Sequence, residues 1–118
     1  MLTFLSAMAL TLCPPTGVRV TCVHDGDTFI VARERIRLAD IDTPELNGEC
    51  SAETALARQA RDRLMRILNA APLNIQREGE DRYGRTLAIV TNDRGSVGDQ
   101  LVAEGLARTW SGRREGWC

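Results

Sequence analysis

The sequence contains no lysine, a single histidine (His24), only two tryptophans, two phenylalanines and one tyrosine, no CxxC pair, and no apolar run long enough to cross a membrane. Each absence excludes something. Without lysine, the positive charge rests entirely on 15 arginines facing 16 acidic residues, for a net charge of −1. A protein that grips nucleic acid by bulk charge carries a clear positive excess, because phosphate neutralisation supplies most non-specific affinity. Any contact with nucleic acid here has to be focused on a few side chains. Exclusive use of arginine is compatible with a base-composition bias as well as with function. One histidine and no CxxC pair argue against a structural zinc site. The apolar N-terminus, MLTFLSAMALTLC, falls short of the about 20 residues of a membrane span and lacks a basic region ahead of it. It reads either as a weak or truncated export signal or as a segment packed on the domain.

What is present begins with four cysteines, Cys13, Cys22, Cys50 and Cys118. They allow two disulfides in three pairings, and all three stay open from sequence. Pairing Cys13 with Cys22 closes a short N-terminal loop; pairing Cys50 with Cys118 ties the last residue to the body of the domain. Disulfides point to an oxidising compartment, secreted or periplasmic, with a cytoplasmic location the alternative.

A chain of 118 residues is expected to form one domain. Its organisation reads as an N-terminal segment over 1–17, a folded domain over 18–110 and a tail over 111–118 held by a disulfide. Alternation of Val18, Val20 and Cys22 predicts a first strand, Thr28 to Val31 a second and Arg35 to Ala39 a third, with turns at His24–Asp27 and Arg33–Glu34. Gly26 is the turn residue with conformational freedom. Ser51 is the expected cap of a helix to about Leu68, whose apolar stripe is Leu56, Ala60, Leu64, Ile67 and Leu68. Two more strands follow, from Leu73 and over Thr86–Thr91, and Ser96 caps a short second helix with Asp99 in its first turn. This order predicts an α+β fold, mainly β: a five-stranded closed barrel of the oligonucleotide-binding (OB-fold) type with two helices.

The stretch VHDGDTFIVARERIRLADIDTPE, residues 23–45, concentrates the chemistry. Burying Ile36 and Leu38 points Arg37 to the opposite face of its strand. Asp27 leaves the first turn, Asp42 ends the third strand, and Pro44 breaks the ladder so that the Thr43 carbonyl is left exposed. Two carboxylates and a carbonyl suit a hard divalent cation, calcium or magnesium. Glu45 can take a proton from a water lined up on phosphorus. Arg37 and Arg85, arriving from different segments, can clamp a phosphate with donors that stay protonated at any working pH. Asp25 and Asp40 read as local turn formers, and the bland reading of every charge here is a surface ion pair worth little.

The strings DGDT at 25–28, IRLADIDTPE at 36–45, DRYGRTLA at 81–88 and LVAEGLA at 101–107 resemble, in order, the signatures of the thermonuclease family, the staphylococcal or micrococcal nuclease-like domain. The resemblance covers about Val18 to Thr109. It implies calcium-dependent hydrolysis of DNA and RNA, preferably single-stranded, to 3′-phosphate ends by a monomer that does not engage membrane. It further implies Asp27, Asp42 and the Thr43 carbonyl as calcium ligands, Glu45 as general base, and Arg37 and Arg85 on the scissile phosphate. Asp81 and Tyr83 read as supporting residues. The chain departs from better-known members in its neutral charge, and no base-stacking tyrosines follow the second helix. Trp110 and Trp117 stand there as a stacking face or as a hydrophobic plug. The alternative is a barrel that binds nucleic acid or protein without turnover.

Overall fold

The computed structural model of the protein describes residues 2–6 and 9–118. Among them the elements run β1 (Leu2–Leu5), β2 (Thr11–Leu12), β3 (Cys22–Asp25), β4 (Thr28–Val31), β5 (Glu34–Leu38), β6 (Ile41–Asp42), α1 (Ser51–Ala70), β7 (Leu73–Glu80), β8 (Thr86–Asn92), β9 (Gly95–Ser96), α2 (Val97–Ala103) and β10 (Arg108–Thr109). The alternation read in the sequence builds the centre. Val23, Phe29, Ile36 and Leu38 are fully buried from β3, β4 and β5, and they meet Ala60, Leu64 and Leu68 of α1 in one core. Each such side chain contributes about 1.5–3 kcal/mol by leaving water. On α1 the buried stripe includes Ala57, whereas Leu56 is only half-buried.

The expected five-stranded closed barrel does not form. The strands follow the open order β1-β7-β8-β5-β4-β3-β2, with β9 added to β8, and β6 and β10 make a separate two-stranded ribbon. The result is a curled half-barrel of seven strands with two helices, still α+β. Its physical cause lies in the N-terminal residues. β2 lies parallel to β3 through Thr11↔Cys22, and β1 lies antiparallel to β7 through Leu5↔Leu73. The two edges that would have to meet for closure therefore already carry other strands. A disulfide between Cys13 and Cys22 fastens the β2 side.

Local boundaries shift for identifiable reasons. The first strand starts at Cys22 instead of Val18, and Val18 and Val20 stay exposed on the loop that the Cys13–Cys22 bond closes. The β4–β5 turn is Ala32–Arg33, both at positive φ, which leaves Glu34 in the strand facing Val31. Gly79 marks a bulge that lets β7 run on to Glu80. The second helix is capped as expected, with the Asp99 N–H donating to Ser96 Oγ at 3.1 Å.

Helix α1 is capped from Cys50 instead of Ser51. Cys50 bonds Cys118, closing a loop of sequence separation 68. One turn in, the buried Glu53 accepts the backbone N–H of Glu45 on Oε2 and that of Glu49 on Oε1, each at 3.0 Å. These N–H groups, with the Arg114 guanidinium assisting, hold the Glu53 carboxyl below the usual carboxylate range. The loop between β6 and α1 is thus pinned to the helix it precedes.

Two stability predictions follow from these clamps. Replacing Cys50 and Cys118 together by serine is expected to cost about 4 kcal/mol, as a loop of this size implies, read as a lower urea midpoint; an unchanged midpoint would remove the bond from the stability of the fold. Glu53 stabilises the folded state fully above its ordinary value of 4.5, and that contribution is lost as pH falls through its lower folded value. The urea midpoint is expected to drop as pH falls below about 4.5, and less steeply in Glu53→Gln. Parallel pH profiles for the two proteins would contradict this role.

Candidate active site

The register of β4 on β5 sets Thr28 opposite Arg37. With Ile36 and Leu38 in the core, Arg37 rises from the other face and its side chain stays only 14% exposed. Its Nη2 lies 3.5 Å from Asp27 Oδ2, and its Nη1 donates to the carbonyls of Ile41, at 3.0 Å, and Leu38. Asp27 sits in the tight β3–β4 turn, where Thr28 Oγ1 donates to its Oδ1 at 2.8 Å. That turn is pressed onto α1: a Cβ at Gly26 would fall 2.8 Å from Ala60 Cβ and 3.3 Å from Thr43. Glycine is needed there for space, since its φ is not positive.

The small β6–β10 ribbon, through Arg108↔Asp42, brings Asp42 and Thr43 to the same side. Both are buried. The following tail folds back across them. Arg114 Nη1 donates to Asp42 Oδ1 at 2.7 Å and to the Thr43 carbonyl at 3.5 Å, while its Nη2 lies 3.4 Å from Glu53 Oε2 and 3.7 Å from Glu45 Oε1. Trp117 Nε1 donates to Asp42 Oδ2 at 3.4 Å, and its ring is stacked by Arg108 at 3.7 Å. Glu45 itself is the open member of the set, its side chain 62% exposed.

Arg85 enters from the loop ahead of β8, which runs parallel to β5. Asp81 shapes that loop: its Oδ1 accepts the N–H groups of Tyr83 and Arg85, and its Oδ2 the Arg85 Nε at 2.7 Å. Burial alone would raise the Asp81 carboxyl, but these Arg85 and Tyr83 donors outweigh it and hold the group low. The guanidinium of Arg85 lies over the exposed Tyr83 ring, and that of Arg37 lies 5.9 Å from the Trp110 ring.

Asp27, Arg37, Asp42, Thr43, Glu45 and Arg85 all line one cleft of about 190 Å³, so the structure brings together the six residues that the sequence offered as metal ligands, base and phosphate clamp, with Asp81 and Tyr83 outside its wall. Asp25, Trp110 and Arg114 join them. Trp110 is 41% exposed at the cleft wall. Asp25, read as a turn former, does accept the Asp27 N–H, but it also shares the site: burial, then the charge of Asp27, pushes its carboxyl up to about 8. Glu53 and Arg114 were missed. Glu53 is an acid in the first turn of a helix, a common placement, and Arg114 reaches the site across 72 residues from a tail tied down by the Cys50–Cys118 bond, a contact no local pattern signals. Asp40 lies elsewhere, accepting from Ser96 Oγ at 2.6 Å beside α2.

The electrostatics call for positive charge. Burial, then the charge of Asp27, raises the Asp25 carboxyl, while Asp27 and Asp42 each already face a guanidinium, Arg37 at 3.5 Å and Arg114 at 2.7 Å. Among the described residues no three acidic, histidine or cysteine side chains converge tightly enough to hold a metal unaided. The oxygens of Asp27, Asp42 and the Thr43 carbonyl nevertheless fit a hard cation of calcium type, which accepts irregular cages completed by carbonyls and water.

Comparison with known proteins places this geometry. The family model described as staphylococcal nuclease homologue matches residues 35–116. The chain is 33% identical over 96 residues to the thermonuclease of Staphylococcus hyicus, covering 76% of this chain and 57% of that protein. It is 30% identical over 94 residues to an uncharacterized endonuclease of Haemophilus influenzae, covering 75% and 49%. It is 40% identical over 75 residues to the micrococcal nuclease of Shigella flexneri, covering 60% and 40%. The chain thus spans about half the length of these relatives. The match over residues 35–116, most of the chain, takes in β5, the loop from β6 to α1 and the Arg85 loop, and makes this protein a member of the staphylococcal nuclease homologue family.

Proposed function

We propose that the protein is a calcium-dependent endonuclease that hydrolyses phosphodiester bonds of DNA and RNA, preferably single-stranded, to leave 3′-phosphate ends. The observation that carries this reading is the convergence of Asp27, Arg37, Asp42, Thr43, Glu45 and Arg85 on one cleft. Arg37 and Arg85 hold the scissile phosphate from two sides, and their forks match the charge that builds on its equatorial oxygens. Their neighbours keep them aimed: two carbonyls and Asp27 for Arg37, Asp81 for Arg85. Glu45, exposed and fixed at its backbone by Glu53, takes the proton of the attacking water. The bond from phosphorus to the 5′ oxygen breaks, and that oxygen takes up a proton. Asp27, Asp42 and the Thr43 carbonyl would hold a calcium ion, which would supply neutralising charge for the phosphate.

Two disulfides support a secreted or periplasmic setting. A second reading, a domain that binds nucleic acid without turnover, draws support from the Arg114 guanidinium seated on Asp42, where the cation is proposed to bind.

Cleavage of single-stranded DNA is expected to require calcium, to stop on adding a chelator, and to fall by about 10²–10⁴-fold in kcat in Glu45→Ala, with folding unchanged. Cleavage that persists without divalent metal would sink the mechanism; folded protein that binds but never cuts would favour the second reading. Because Arg114 and the cation share Asp42, Arg114→Gln is expected to tighten calcium binding roughly 1.4- to 5-fold, about 0.2–1 kcal/mol for a partly exposed ion pair. Calorimetric titration in the Glu45→Ala background reads this directly. Equal or weaker binding would separate Arg114 from the cation's ligands.

A further inference from the structure

A second and larger cleft, of about 520 Å³, opens on the far side of Arg85. Its wall carries Arg19, His24, Arg33, Arg35, Tyr83 and Arg85, and no carboxylate lines it. We propose that this cleft is a phosphate subsite: it holds the backbone of the same single strand next to the bond being cut, whatever the bases. The inference rests on the nuclease reading above and extends it to how a nearly neutral chain holds a polymer.

Three observations support it. First, the positive charge is available. Arg19, Arg33 and Arg35 pair with no carboxylate among the described residues, whereas Arg37, Arg77, Arg85 and Arg114 all do. Second, the chain is shaped to present these groups. Arg33 sits at φ 70° and Ala32 at φ 48°, positions at which a two-residue hairpin turn normally uses Asn-Gly. The turn is held by Arg33 N–H on the Val20 carbonyl at 2.8 Å. Arg35 reaches through to the Tyr83 carbonyl, and it can do so because residue 84 is glycine: a Cβ there would lie 2.9 Å from Arg35 Nη2. Third, donors are left for an anion. Arg19 Nη1 lies 3.0 Å from His24 Nδ1, which makes Nδ1 the acceptor and leaves the proton of the neutral ring on Nε2, 3.8 Å from Asp25 Oδ2, so the donors left for an anion are those of the arginines. Burial, then the charge of Arg19, depresses the His24 imidazole below its ordinary value, so an incoming phosphate relieves both groups.

Continuity makes the occupant a polynucleotide. Arg85 lines both clefts, so a strand with its scissile phosphate between Arg37 and Arg85 passes its neighbouring phosphate directly to Arg35 and Arg33. The outer wall, with Arg19, His24 and Arg33, precedes residue 35, where the family match begins, and the Cys13–Cys22 bond holds it in place.

The test compares a dinucleotide, which fills the reaction cleft alone, with a single-stranded DNA octanucleotide. Binding is measured with calcium at several salt concentrations in the Glu45→Ala background, and cleavage in the parent. Arg33→Gly removes a charge while suiting the positive φ, and is combined with Arg19→Gln. The double variant is expected to bind the octanucleotide about tenfold more weakly, with the slope of log affinity against log salt reduced by about 1.4, the value for two lost single-strand phosphate contacts. Dinucleotide binding and cleavage are expected to stay unchanged. If the parent cuts both substrates and the variant matches it in octanucleotide affinity and salt slope, the subsite is overturned while the nuclease stands. If the parent binds and cuts neither substrate, both readings fall. Equal loss for dinucleotide and octanucleotide would also overturn the subsite, by placing the damage in the reaction cleft.

Discussion

The alternation of a single strand, β5, is the constraint on which the rest of the site depends. Strand geometry sends Ile36 and Leu38 into the core and Arg37 out of it, and a slip of one residue would exchange them. Because β5 lies between β4 and β8, the same register that buries the two aliphatic side chains also fixes Asp27 beside Arg37 and carries the Arg85 loop to the same end of the sheet. Core packing and phosphate geometry are therefore one problem. The free energy that holds Arg37 in place comes from hydrophobic burial on the opposite face, with the guanidinium contacts adding direction.

Around that strand the protein handles charge by pairing it locally. Net charge is −1, yet the cleft contains carboxylates crowded enough to hold a proton and arginines tied to carbonyls and acids. Such arrangements persist because each buried group has a partner; the cost of an unpaired one would be several kcal/mol. Arg114 is part of this balance. It covers Asp42 and Glu53 with a charge that belongs to the chain itself, and any cation entering the site displaces or shares that cover.

How much of this could be read in the sequence depended on whether a feature was local. The β5 alternation, the second strand at Thr28–Val31, the long first helix and the Ser96 cap all repeat over several residues, and each lies where its pattern indicated. The residues that converge on the cleft flank turns and a proline break, which are also local signals. The open sheet was not legible. β2, β6 and β10 are two residues each, too short for any period, and β1 has the composition of an export signal while pairing as an edge strand. Arg114 and Glu53 escaped for a different reason: Glu53 acts on backbone N–H groups of the preceding loop, and Arg114 reaches Asp42 across 72 residues from a tail that the Cys50–Cys118 bond ties down.

That same bond makes most of the molecule a covalent ring. Residues 50 to 118, which hold α1, β7, β8, α2 and the tail with Arg114, form a closed loop. A single nick anywhere inside it, for example beside the exposed Tyr83, leaves both pieces attached. The cut ends stay at high effective concentration, so the fold can reassemble around the break. The fold would in this way tolerate a first cut to an exposed loop.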